Sequence, residues 1–190
     1  IRPTRHTTFM APHLGNSGGT GYTLKVVSAE DATEVTINSN VSTINTGEFL
    51  QVELPGMSDM SSIHCDPPCT AFLATKGASG SVGETMVSII PTDSMYTAVH
   101  FRTVAISVMG HYVSITAEGE GPYDDILLDG QPLSSERWTV LEGFSSTWLS
   151  IPSGSHWLES SSGRLLAAYV YGHTGKYGGG YGHTVWPGES

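Results

Sequence analysis

The sequence predicts an all-β protein, an antiparallel β-sandwich built either as one unit or as two packed lobes. Three observations carry that prediction. Short apolar segments recur at roughly 8–12-residue spacing with a turn after each, the pattern of sandwiches and barrels. Glycine is abundant, 23 of 190 residues, while only 14% are charged. No segment of about ten residues keeps a helical period without a glycine, a proline or a β-branched run.

Residues 1–21 read as an irregular arm. Two prolines and the run Gly15-Asn16-Ser17-Gly18-Gly19 oppose a regular element there. Arg2 and Arg5 make it a solvated arm, or a strand that pairs with another subunit or with a missing upstream part of the chain.

A first β lobe is expected over 22–95. Tyr22, Leu24 and Val26 share one strand face, opposite Thr23 and Lys25. Val35 and Ile37 share a face in the next strand, between the turns Ala29–Ala32 and Asn38–Asn40. Leu50, Val52 and Leu54 alternate with Gln51 and Glu53 until Pro55-Gly56 stops the strand. Thr70–Thr75 alternates poorly, as a strand buried on both faces would. Lys76–Gly83 is a Gly/Ser loop, and Thr85–Ile90 is a β-branched strand ended by Pro91.

A second β lobe is expected over 96–190. Val104, Ile106 and Val108 should form one arm of a hairpin that turns at Met109-Gly110 into Val113 and Ile115. Next come Ile126–Leu128 closed by Asp129-Gly130, Arg137–Leu141 closed by Glu142-Gly143, and Trp148–Ile151 stopped by Pro152. His156–Glu159 and Leu165–Tyr171 follow. Glycine after Asp or Glu supplies the positive φ that tight turns require. The chain ends in a Gly/Tyr/His-rich hairpin, with Tyr171-Gly172-His173-Thr174 echoed by Tyr181-Gly182-His183-Thr184.

Composition narrows the function. A net charge of −10 repels phosphate backbones, which argues against nucleic acid. No apolar run reaches the length of a membrane span. The first residue is Ile1 and no basic-then-apolar leader follows, so a signal peptide is expected to have been removed already.

Cys65 and Cys69 lie in His64-Cys65-Asp66-Pro67-Pro68-Cys69. Either they close a proline-stiffened loop as a disulfide, worth about 2 kcal/mol, or they ligate a metal with His64. A C-x₃-C pair lacks the second half of a zinc site. A disulfide implies an oxidising compartment. Asn40-Val41-Ser42 is an N-glycosylation sequon in a polar turn. Together these favour a secreted, extracellular protein.

Four further groups invite chemistry. Glu118, Glu120, Asp124, Asp125 and Asp129 could gather around Ca²⁺, but their spacing is not an EF-hand loop, and a solvated loop is the simpler reading. His173 and His183, ten residues apart across a glycine loop, could chelate a metal or form a pH-sensitive pair. With His111 and His156 they make a His-dependent metalloenzyme an alternative. The simpler reading is a terminal hairpin. Gly77–Gly80 and Gly154-Ser155-His156 lack the strand–turn–helix setting of a nucleophilic serine. Trp138, Trp148, Trp157 and Trp186 are expected mainly in the core, although a tryptophan at a strand edge could stack on a sugar. No catalytic residue and no cofactor is assigned.

One pattern goes further. Leu128-Asp129-Gly130-Gln131-Pro132-Leu133, Trp138-Thr139, Pro152–Ser160 and Ala168–Gly172 form a succession of turns and aromatics. Upstream, Phe72–Thr75 precedes a Gly/Ser loop, and Ile90-Pro91 is followed by Tyr96. This succession resembles the domain found at the N-terminus of IgG Fc-binding protein and in many secreted or surface proteins, over roughly Tyr22 to Gly182. The resemblance implies a non-catalytic extracellular all-β module of adhesive, mucus or matrix proteins. Its partners would be other extracellular proteins or glycans within a larger assembly. The chain is shorter than a whole domain of that family, so strands preceding the first half are expected to be missing or supplied by a neighbour. A structural subunit of a filament or sheath, assembled through the N-terminal arm as a homo-oligomer, is the alternative.

Overall fold

The computed structural model describes residues 6–12, 14, 21–54, 60–75, 85–106, 109–134, 136–174 and 180–187. Seven strands make up the first half: β1 (His6–Ala11), β2 (Tyr22–Ser28), β3 (Thr33–Ile37), β4 (Asn40–Ile44), β5 (Phe49–Leu54), β6 (Ser61–Thr75) and β7 (Met86–Ser88). A single 3₁₀ turn, Thr92–Ser94, leads to the second half. There follow β8 (Ala98–Arg102), β9 (Gly110–Glu118), β10 (Ile126–Leu128), β11 (Gln131–Pro132), β12 (Thr139–Leu141), β13 (Phe144–Ile151), β14 (Ser155–Ser160), β15 (Leu166–His173) and β16 (Gly180–Thr184). Every named pairing is antiparallel. Among the described residues no helix is long and apolar enough to cross a membrane.

The strands form three sheets. The first runs β4-β3-β6-β2-β5, with β1 and β7 also paired to β6. The second is β12-β13-β9-β15-β16 and the third is β11-β10-β14-β8. Strand β15 is the interior of the molecule: seven of its eight residues are buried, on both faces. One face carries Tyr169, whose hydroxyl accepts the N–H of Ile90 at 3.0 Å and so ties the second sheet to the end of the first half. On the other face Val170 and Ala168, with Val113 and Ile115 of β9, join one continuous core with Val99, Phe101, Ile126 and Leu158 of the third sheet. A strand covered on both sides reads as an unbroken apolar run, which is what Leu165–Tyr171 is.

Several expectations change. Residues 6–11 of the arm form β1 and pair with β6 of the same chain, because Phe9, Met10 and Ala11 are apolar and buried. Arg2, Arg5 and the run 15–19 lie outside the described residues, as do the loop 76–83, the stop at 55–56 and the turn 175–179. The hairpin at Met109-Gly110 does not form. Strand β8 ends at Arg102, Val104 and Ile106 are exposed, and β9 pairs instead with β13 and β15. Alternation in 104–108 matched a strand that has no neighbour there to pair with. The tryptophans are not central core: Trp138, Trp148 and Trp186 are half-buried and Trp157 is exposed.

Candidate binding cleft

Two turns and one edge strand shape a cleft between the first and second sheets. Asn38 has φ of +55°, a left-handed conformation that asparagine tolerates, at the turn between β3 and β4. It is clamped to β6: its N–H donates to Ser62 O at 2.9 Å, and its Oδ1 accepts the Ser62 N–H at 3.0 Å. On the opposite wall, Glu142 and Gly143 have φ of +49° and +77°. Positive φ at both positions is the two-residue turn whose twist matches a β-hairpin, here joining β12 to β13. Ser62 Oγ donates to Glu142 Oε1 at 3.1 Å and bridges the walls. Asn38, Ser39, Met60, Thr139, Val140, Leu141 and Glu142 line a cavity of about 450 Å³.

The backbone of β12 gives this cleft its chemistry. Beside a two-residue turn, the flanking pair Leu141 and Phe144 must exchange both hydrogen bonds. The next pair, Val140 and Ser145, is then the non-bonded kind, so the Val140 N–H and C=O point away from β13. Strand β12 ends its sheet and has a ladder partner on the β13 side alone. The Val140 side chain is 45% exposed. An open donor, an open acceptor, an apolar side chain and one carboxylate therefore border the cavity.

The sequence candidates are scattered. Cys65 and Cys69 form a disulfide, with Cα atoms 5.9 Å apart, inside β6 rather than in a loop. Near them β6 changes partner, from β3 at Ile63–Asp66 to β2 at Cys69–Thr75. Both sulfurs are bonded, so no thiolate is left for a metal, and His64 sits exposed beside Thr8 Oγ1 at 3.3 Å. Asn40 is exposed at the first position of β4.

His173 pairs with Gly180 and His183 with Val170. Three positions along the ladder is an odd number, so the two rings project from opposite faces of the sheet and do not converge. His173 stacks on Tyr112 at 5.4 Å, and His183 lies against Tyr181 at 6.3 Å. His111 Nδ1 meets the Tyr181 hydroxyl at 2.8 Å. Burial, then the nearby His156, lowers the His111 pKa. Burial likewise pushes the Tyr181 hydroxyl up to about 12. Among the described residues no group of three or more His, Cys, Asp and Glu side chains could hold a metal ion.

The acidic run is divided. Glu118, Glu120 and Asp124 are exposed. Asp125 is gripped by Arg164, with Nε–Oδ2 at 3.0 Å and Nη2–Oδ1 at 3.3 Å, and by the hydroxyls of Ser160 and Ser162. Burial raises the Asp125 carboxyl, but these donors outweigh it and leave its pKa lowered. Arg164 also donates to the carbonyls of Glu118 and Pro122 and lies over Tyr123, which stacks on Trp138 at 4.0 Å. Asp129 is taken by His156. Sequence reasoning missed the Arg164 clasp and the Ser62–Glu142 bridge; partners 39 and 80 positions apart leave no local signal.

The comparisons with known proteins follow this geometry. The chain is similar to a cupin 2 conserved barrel domain protein from Leptotrichia buccalis at 13% identity, with a TM-score of 0.26, covering 91% of this chain and 80% of that one. No curated protein matches. The family model described as IgGFc binding protein matches residues 6–172, spanning the turns and aromatics of the second half as well as β1 to β7. The chain belongs to the IgGFc binding protein family.

Proposed function

We propose that this chain is a non-catalytic extracellular binding module that captures an extended segment of a partner protein along β12. The observation that carries this reading is the open edge of β12 on the 450 Å³ cleft. Adding a strand to an exposed edge gains main-chain hydrogen bonds, and the adjoining pocket selects side chains. Val140 offers the outward N–H and C=O, the cavity takes an apolar or amide side chain, and Glu142 favours a segment with a basic residue beside it. The family description makes immunoglobulin Fc the first protein to test as partner.

A second reading, glycan contact, is favoured by Trp157. It is 43% exposed on the outer face of the third sheet, opposite His100 on β8 with Arg102 two positions along. A sugar ring could stack there.

Surface-immobilised Fc, mucin and glycans, titrated with the protein, test both readings. Val140→Pro removes only the outward N–H, so pairing with β13 survives and edge binding is lost. Protein binding that persists in a folded Val140→Pro variant overturns the edge reading. Glycan binding lost in Trp157→Ala would favour the second.

A further inference from the structure

The sequon Asn40-Val41-Ser42 opens β4, and β4 is the outer strand of the first sheet. The turn Asn38-Ser39 makes Ile37 and Asn40 a hydrogen-bonded pair. Thr36 with Val41 and Glu34 with Thr43 are then non-bonded pairs. The N–H and C=O of Val41 and Thr43 therefore face the open edge. The Val41 side chain is 60% exposed. Strand β4, Asn-Val-Ser-Thr-Ile, carries no charge and no proline. A bare apolar edge of that kind pairs readily with a second copy. Other outer strands are defended: β5 by Glu53, β8 by Arg102 and β11 by Pro132.

We propose that Asn40 carries an N-linked oligosaccharide whose task is to keep the β4 edge from pairing with another copy of this chain. The acceptor is exposed at the hairpin tip, one residue from the bare valine. The donor is a polyprenyl-diphosphate-linked oligosaccharide. The Asn40 amide nitrogen forms a C–N bond to the anomeric carbon, the C–O bond to diphosphate breaks, and polyprenyl diphosphate and a proton leave. The sugar then fills the space an incoming strand would need. This inference is independent of the β12 cleft.

The test uses the full chain secreted from eukaryotic cells. Intact mass and peptide mapping should place the glycan on Asn40, and sedimentation velocity should show a monomer. Ser42→Ala and Asn40→Gln remove the glycan, and self-association should strengthen by about tenfold or more. Trimming the folded wild-type glycan to one sugar should give the same result without any change in folding. Adding Val41→Lys to Ser42→Ala should restore the monomer, because a lysine on the edge replaces the missing guard. An unmodified Asn40 overturns the proposal. So does a trimmed protein as monomeric as the intact one, or association that Val41→Lys leaves unchanged.

Discussion

The His156 ring is buried between two acceptors: Nδ1 lies 2.7 Å from Asp129 Oδ2, and Nε2 lies 3.0 Å from the Pro152 carbonyl. Asp129 also accepts the Trp157 N–H through Oδ1 at 2.8 Å. One side chain at the β10–β11 turn thus holds two consecutive residues of β14.

Asp129 sets an acid limb of stability. Burial raises its carboxyl pKa, but the bonds from His156 and Trp157 prevail and leave it lowered. A carboxyl whose folded value lies below its unfolded value, about 3.9, stabilises above that pH and loses the effect as pH falls through the folded value. Asp129→Asn keeps the turn, since asparagine tolerates φ of +53°. Thermal unfolding should show a loss of about 1 kcal/mol at pH 7, small because Asp129 is partly exposed, and a flatter decline below about pH 4.

His111 sets a second limb at higher pH. Its folded pKa is lowered by burial and by His156. A histidine depressed in this way resists protonation in the folded state, so stability is full above the unfolded value of about 6.5 and falls as pH drops below it. Denaturant midpoints measured from pH 7.5 to 5 should decline in wild type and flatten in His111→Gln.

Arg164 should matter more than any other exposed-loop cation. Arg164→Lys keeps the charge but loses the fork that grips Asp125 and the reach to Glu118 O and Pro122 O. A loss of roughly 2–3 kcal/mol is expected in chemical denaturation. An unchanged midpoint would show that the clasp contributes nothing net.

Replacing both cysteines with serine should cost about 2 kcal/mol, the entropy of one small closed loop. Scanning calorimetry should read this as a melting point lower by roughly 5 °C. Elemental analysis of the same variant should show metal content equal to wild type.

Much of the second half was legible because its turns are written locally. Asp129-Gly130 and Glu142-Gly143 both adopt the positive φ that their sequence requests, and the strands they close lie where alternation put them. The first half was harder. Apolar β1 was masked by prolines and glycines around it, and β6 hid a disulfide and two prolines within one strand of 15 residues. The cleft was not legible, because Asn38, Ser62 and Glu142 meet across the fold. The distal histidines misled for a simple reason: repetition in sequence says nothing about which face of a sheet each ring takes.

Strand β6 also governs where this polypeptide can be opened. It serves β1, β2, β3 and β7 at once, so new termini anywhere in Ser61–Thr75 would orphan four neighbours together. A cut at Asp129-Gly130 would sever one two-residue link whose flanking strands remain held by β14. Protein engineers seeking a split version or a circular permutant of this chain should leave the long strand whole and start at that tip.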